Sequence, residues 1–545
     1  MASTMMATMC IAILALLWKP LRGLYRTFLS PLLSPLRAVP GPPPQNWLYG
    51  TVKLSRKLGQ SAARAQWVQE YGPVLADWSF FGRQRLILAD NRSIGHVLTN
   101  SVDYHKPQLG RFFISQIFGE GLLSVEGHEH KRQRRVLNPA FGPAHIRELL
   151  PIFFEKSFQL RDTWKGKIAE SGSARILVDV LGNLQLTTLD IIGSAGFGLS
   201  FDALQTDEET KELTDALRTL TSSDAPGVMA VLQAIVPPLR HIVSLLVSIG
   251  VQLYSWLTTA HPVDATHREG SSGVEPHRRR DDVQGKDILS VLVRANLATD
   301  LSENERLSDD AILAQIPTFL LAGHETTSSA VAWGLHSLSN DQTIQDKLRT
   351  ELRDCIQAHG PTPSSEVLNS LPYLERFVRE VMRLHSPVTS ASRVATKDDV
   401  IPTADDWVDI HGVKRSGVPV VEGDTVLLPI EIINHSVAIW GPDAMDFRPE
   451  RWENPPKAAS AIPGVWGNSL SFLGGPHACI GFRFSLLEMK ALFFTLVSTL
   501  RFQNAVAPEK VYRSLLIVAR PAIKGEEDKG ARLPVFVSLV DEEVE

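Results

Sequence analysis

Ten consecutive residues constrain this chain more than any other feature: Phe472-Leu473-Gly474-Gly475-Pro476-His477-Ala478-Cys479-Ile480-Gly481. They set one cysteine in a tight, glycine-rich turn just ahead of an amphipathic helix predicted over Gly481 to Leu500. Such a turn lets backbone approach a flat ligand, and the positive end of the following helix favours the thiolate, the form that ligates metal. Cys479 is thereby placed to be an axial ligand. The other cysteines are Cys10 and Cys355, so neither a disulfide framework nor a cysteine-rich zinc cage is available. Alone, a cysteine beside glycines is more often structural than ligating.

Its company points the other way. Ala322-Gly323-His324-Glu325-Thr326-Thr327 lies on a helix predicted over Ser308 to Ser339, Glu380-Val381-Met382-Arg383 on a helix predicted over Pro372 to His385, and Phe447-Arg448-Pro449-Glu450-Arg451-Trp452 follows. With the cysteine loop, F-x-x-G-x-[RH]-x-C-x-G, these resemble in sequence and in order the oxygen-binding [AG]-G-x-[DE]-T-[TS], the ExxR and the PERF segments of the cytochrome P450 family. His477 stands where many members have Arg, and PERF is here PERW. The resemblance implies a mainly α fold with small β-sheets, a cytochrome P450 fold in one catalytic domain over residues 45–545. It overrides the three or four domains that 545 residues would suggest at about 150 each. It also implies haem b as cofactor, bound through Cys479 to the iron and lined by Phe472, Ala322 and Gly323. Arg134, Arg393 and His477 would meet the propionates, and His130 replaces the family's Trp four residues before Arg134.

The residues support these roles on physical grounds. Ala322 and Thr326 lie four apart on one helical face, leaving room for a diatomic ligand one turn from a hydroxyl. Gly323 would relieve the helix there, and Pro317, unable to donate a backbone hydrogen bond, would permit a bend. Thr326 would hold oxygen and its water while Glu325 feeds protons in from solvent, since splitting the O–O bond takes two protons. Without Cys479, a surface Glu-Thr-Thr would be the better reading. A zinc-protease H-E-x-x-H is excluded because position 328 is Ser. Glu380 and Arg383 share a helix face and can join Arg451 in a buried network that supports the cysteine loop; the plain alternative is an exposed salt bridge. Arg132, Arg135 and Arg483 form either a solvated basic face or a docking patch for an acidic electron donor.

From Met1 to Trp18 no side chain is charged, and at about 1.5 Å per residue that run reaches ~27 Å as a helix, enough to cross a bilayer core. Lys19, Arg22, Arg26 and Arg37 follow without an acid, which puts the remainder on the cytosolic side. Residues 1–18 are thus read as an N-terminal transmembrane helix and 19–44 as a basic, proline-rich hinge. Ile242 to Leu257 is uncharged and reads as a buried helix or a membrane-dipping tip, and His261 to Lys286 as a surface loop. A formal charge of -5 is the wrong sign for a nucleic-acid partner. Gly193, Gly196 and Gly198 run G-x-x-G-x-G, which is not the dinucleotide fingerprint.

The resemblance therefore implies a monooxygenase of the endoplasmic reticulum membrane. It would take NADPH-derived electrons through a separate cytochrome P450 reductase, with cytochrome b5 as a further donor, and use O2 to hydroxylate or further oxidise a lipophilic small molecule. The motif wording is similar to microsomal P450s of filamentous fungi and mushrooms, many of which act on terpenoids or other secondary metabolites. A haem-thiolate isomerase, dehydratase or peroxygenase, a haem sensor, and a fatty-acid, sterol or xenobiotic hydroxylase are the alternatives; fold does not fix substrate.

Overall fold

A computed structural model describes residues 30–205, 285–297, 305–515 and 518–540. The expected anchor over 1–18, the apolar run 242–257 and nearly all of the polar loop lie outside them. Among the described residues no helix is long and apolar enough to cross a membrane. The architecture is mainly helical with small sheets.

Six helices position the site: α1 (Gly127–Leu137), α2 (Leu150–Ser171), α3 (Val180–Phe197), α4 (Gln315–Asn340), α5 (Pro372–Leu384) and α6 (Phe482–Thr499). α3, α4 and α6 are buried almost all round, the pattern of helices that run through a core rather than over it. α4 is shorter than the sequence predicts. Ser308 does cap a helix, accepting from Ala311 N at 3.2 Å, but that helix ends at Leu313 and a break at Ala314 precedes α4. Pro317 explains it, since it cannot donate to the Leu313 carbonyl. It sits in the first turn of α4, where a missing N–H matters least, instead of bending the middle of a long helix. Side chains take over nearby carbonyls, Gln315 Nε2 donating to Ala311 O at 2.8 Å and Thr318 Oγ1 to Ala314 O at 2.8 Å.

α5 starts on Pro372 as expected, and its first N–H groups are satisfied from outside. Glu351 accepts from Tyr373 N and Leu374 N, both at 2.8 Å. Leu374, Phe377, Val378 and Val381 then form one fully buried stripe.

The strands are β1 (Val74–Trp78), β2 (Gln84–Leu88), β3 (Tyr104–His105), β4 (Arg175–Asp179), β5 (Ala391–Ala395), β6 (Asp399–Val408), β7 (Lys414–Val420), β8 (Thr425–Leu428), β9 (Leu500–Asn504), β10 (Val511–Leu515), β11 (Ala519–Ile523) and β12 (Pro534–Leu539). They make a five-stranded sheet ordered β1-β2-β8-β5-β3, a three-stranded sheet β4-β12-β9, and the pairs β6-β7 and β10-β11. Within the large sheet only β2 and β8 are parallel, and β5 places Arg393 opposite Val426. β12 joins distant parts of the chain, pairing Val535 with both Val178 and Asn504. The described part of the proline-rich segment packs on the large sheet. Leu36 and Val39 are buried in its core, Ala76 N donates to Pro40 O at 2.9 Å, and a Cβ on Gly41 would stand 1.9 Å from Ala76 O.

Candidate active site

The cysteine loop is held by its own backbone: Cys479 N donates to Phe472 O at 2.9 Å, and Ala478 N to Gly475 O at 3.0 Å. Leu473 and Gly475 adopt positive φ, 53° and 67°. The glycines serve packing beneath the loop. A Cβ on Gly474 would stand 1.9 Å from Pro463 O and one on Gly475 2.2 Å from Leu98 O, so no side chain fits at either position. Phe472 is buried against Trp466 and Phe482, ring centroids 5.7 and 6.1 Å away.

Cys479 is exposed, yet it lies deep among protein atoms, so it faces an internal space rather than the outer surface. Burial pushes its thiol up, while the Gly481 N–H and the Arg134 guanidinium pull it back toward the thiolate. Arg134 also donates to Ala478 O at 2.7 Å, so α1 buttresses the loop directly.

α4 approaches from the other side: the Phe319 ring lies 5.3 Å from Phe141, and Phe141 is 3.9 Å from where a Gly481 Cβ would be. One turn on, Ala322 is exposed although the helix around it is largely buried. Thr326 Oγ1 donates to Ala322 O at 2.7 Å. Gly323 has a different task from the one the sequence suggests. The helix is continuous there, and a Cβ would come within 2.9 Å of Ile192 on α3, so the glycine permits close helix packing.

Glu325, 3% exposed, does not reach solvent directly. Gln185 Nε2 of α3 donates to it at 3.2 Å, His324 Nε2 stands 3.5 Å away and Arg520 of β11 at 3.7 Å. Burial raises its carboxyl, but these partners outweigh burial and leave it below the ordinary range. β11 is itself pinned to α4, with Ser329 Oγ and Trp333 Nε1 both donating to Ala519 O at 2.7 and 3.0 Å.

His130 and His477 stack, ring centroids 3.9 Å apart. His477 Nε2 lies 3.2 Å from the Glu126 carboxylate, a partner the sequence did not suggest. Burial keeps both rings below the ordinary imidazole value, His130 at about 3, so at neutral pH His477 stands beside Glu126 as a neutral ring. Glu126 is held at about 2, its burial outweighed by His477 and Lys106. Lys106, another residue that sequence spacing missed, lies 3.7 Å from Glu126 and bonds the Leu123 carbonyl at 2.8 Å. Burial lowers it to about 8, with Arg393 and Arg111 adding repulsion. Arg393 is 5% exposed and donates to Ser392 O at 2.9 Å. Lys106 and Arg393 thus both act on the Glu126 carboxylate, with Arg111 adding charge beside Lys106, a surplus of positive charge that suits a ligand carrying two carboxylates. With an open thiol and an open helix face, this donor set fits haem.

Glu380 and Arg383 are fully buried and bonded twice, at 2.9 and 2.8 Å. Arg451 Nε and Trp452 Nε1 add bonds to Glu380 at 3.4 and 2.9 Å. Arg383 also bonds Asn434 O at 2.9 Å, Asn434 side-chain oxygen accepts from Leu470 N at 3.0 Å, and Ser471 Oγ donates to Met382 O at 2.6 Å. The network therefore ends on the residues that lead into the cysteine loop.

The family described as Cytochrome P450 matches residues 40–524. Cytochrome P450 monooxygenase 205 of Postia placenta is 45% identical over 518 residues, covering 92% of this chain and 93% of that relative. Cytochrome P450 monooxygenase 128 of the same fungus is 42% identical, covering 94% of each. Cytochrome P450 monooxygenase claW of Ampulloclitocybe clavipes is 31% identical, covering 92% of each.

Proposed function

Because the chain belongs to the cytochrome P450 family and is a cytochrome P450 monooxygenase, we propose that it takes NADPH-derived electrons through a separate reductase and oxidises a lipophilic small molecule, a terpenoid or another secondary metabolite. The observation that carries this reading is that Cys479 and Ala322 are each exposed amid otherwise buried surroundings. Lys106, Arg134, Arg393 and His130 would hold the haem with Cys479 as its iron ligand, and His477 would act through Glu126. When bound, haem supplies the iron at which dioxygen is reduced and its O–O bond split.

The chain's own residues supply position and protons. Thr326 gives its only proton to Ala322 O, so toward a ligand it can only accept, and it would hold a proton donor there in one orientation. Glu325, one residue away and kept a carboxylate by its partners, would pass protons on rather than store one, and its line to solvent would run past Gln185 and Arg520, 8% and 7% exposed. Of the basic patch, Arg132 is paired with Glu129 and Arg135 with Glu305. Arg483, stacked on Phe482 at 4.3 Å, is the residue best placed to meet an acidic electron donor. Attachment to the endoplasmic reticulum membrane is supported by the exposure of Leu32, Leu33, Trp47 and Leu48, 54, 71, 58 and 39%, with Trp47 beside the Phe81 ring.

Reconstitution with an NADPH-cytochrome P450 reductase tests the reading. Product formation should require NADPH, reductase and O2, and Cys479→Ala should abolish both turnover and the CO spectrum of a thiolate-ligated haem while Cys355→Ala leaves them. Turnover without reductase, or a normal CO spectrum in the Cys479 variant, would refute it.

A further inference from the structure

Two polar side chains are buried where α4 meets α6. Glu488 of α6 is 1% and Thr327 of α4 2% exposed. Glu488 Oε1 and Oε2 and Thr327 Oγ1 have no hydrogen-bond partner among the described residues, although Glu488 and Thr327 interact. Nothing in the chemistry above uses Glu488. Its neighbours Leu486, Leu487, Met489 and Leu492 are all buried, and a leucine would fill the same space without desolvating a polar group.

Burial raises the Glu488 carboxyl well above its ordinary range, offset only in part by Thr327. Burial thus favours the acid over the carboxylate, and an acid has an O–H to donate where a carboxylate has none. The group it faces belongs to the residue next to Thr326. Seven residues further along α4, a Cβ on Gly334 would stand 2.5 Å from Phe493, so the second contact of this seam is an apolar close approach. Apolar surfaces in contact tolerate small slides, whereas a hydrogen bond specifies one register.

We infer that Glu488 is a positioning residue: as a carboxylic acid it donates to Thr327 Oγ1 and sets how the Ala322–Thr327 turn stands relative to the helix that continues from the cysteine loop. The inference rests on the reading of Thr326 given above. Glu488 touches neither substrate nor iron and acts through α4.

The test uses the full-length holoenzyme. In the infrared difference spectrum between its CO-bound and photolysed states, the C=O stretch of a protonated carboxylic acid, identified by its shift in D2O, should appear. Glu488→Gln should remove it and Thr327→Val should displace it. Product per NADPH should fall several-fold in Glu488→Leu and be largely restored in Glu488→Gln, which keeps a donor in place. Absence of the band, its persistence in Glu488→Gln, or unchanged coupling in Glu488→Leu would overturn the inference. If Glu488→Leu does not load haem, Thr327→Val decides by the same two measurements. A silent Glu488 beside an uncoupled Thr326→Ala variant overturns this inference and spares the reading of Thr326; a fully coupled Thr326→Ala variant overturns that reading instead.

Discussion

Thr326 has one proton to donate, and the Ala322 carbonyl takes it at 2.7 Å. Thr326→Ala therefore leaves the helix ladder whole and removes one acceptor. Haem content and the CO spectrum should stay intact while product formation falls by roughly a hundred-fold, the lower end of what a positioned acid–base group contributes. NADPH consumption should continue, with hydrogen peroxide as its outlet. A stopped-flow and peroxide assay of the purified variant checks this, and full product yield per NADPH would show that the hydroxyl has no such role. Cys479, Thr326 and Glu325 stand out as candidates in the sequence because their motifs are formed by residues close together in it. The partners of Glu325 do not, since Gln185 and Arg520 stand 140 and 195 residues away and no spacing rule reaches across α3 or β11. Glu126 and Lys106 escaped for the same reason.

Among the elements, α5 was readable nearly to its ends because Pro372 marks its start and its apolar stripe keeps one period. The break before α4 is not legible from Pro317 alone, because a proline fixes only where the ladder is interrupted. The element-scale test is Arg383→Ala, which leaves Glu380 buried and short of its closest partner. Removing one member of such a pair costs about 3–5 kcal/mol, and here it also frees the Asn434 and Ala444 carbonyls. The variant should lose most of its haem and melt well below the parent. Arg383→Lys should recover only part of the loss, since one ammonium cannot bond Glu380 and both carbonyls in the same fork. Haem-to-protein ratio and thermal midpoint measure both; a haem-replete Arg383→Ala protein would dissociate the network from the cysteine loop.

For the whole molecule, histidines that burial holds neutral weaken stability in acid: His336, His385 and His435, together with His130 and His477 at the cysteine loop. Burial lowers His336 and His435 to about 4 and His385 well below its ordinary value. Each is neutral when folded and takes up a proton when unfolded below about pH 6.5, so the unfolded state binds more protons and stability falls as pH falls from there toward 4. The slope is roughly 1.4 kcal/mol per pH unit for each histidine. Denaturant midpoints measured from pH 7 to 5 should decline steeply, and His336→Gln should flatten the slope by one histidine's share, roughly 1.4 kcal/mol per pH unit; an unchanged slope would mean that His336 is already charged in the folded protein. The β4-β12-β9 sheet carries a different consequence, one of timing. Leu533 N caps onto Asp179 at 2.9 Å across 354 residues of chain, and at 5–20 residues per second a ribosome needs roughly 20 to 70 s to synthesise that interval. For that time the N-terminal half waits with β4 unpaired, its backbone edge open to any nascent neighbour or chaperone, so crowding on the polysome should weigh more heavily on the yield of this protein than its finished stability does.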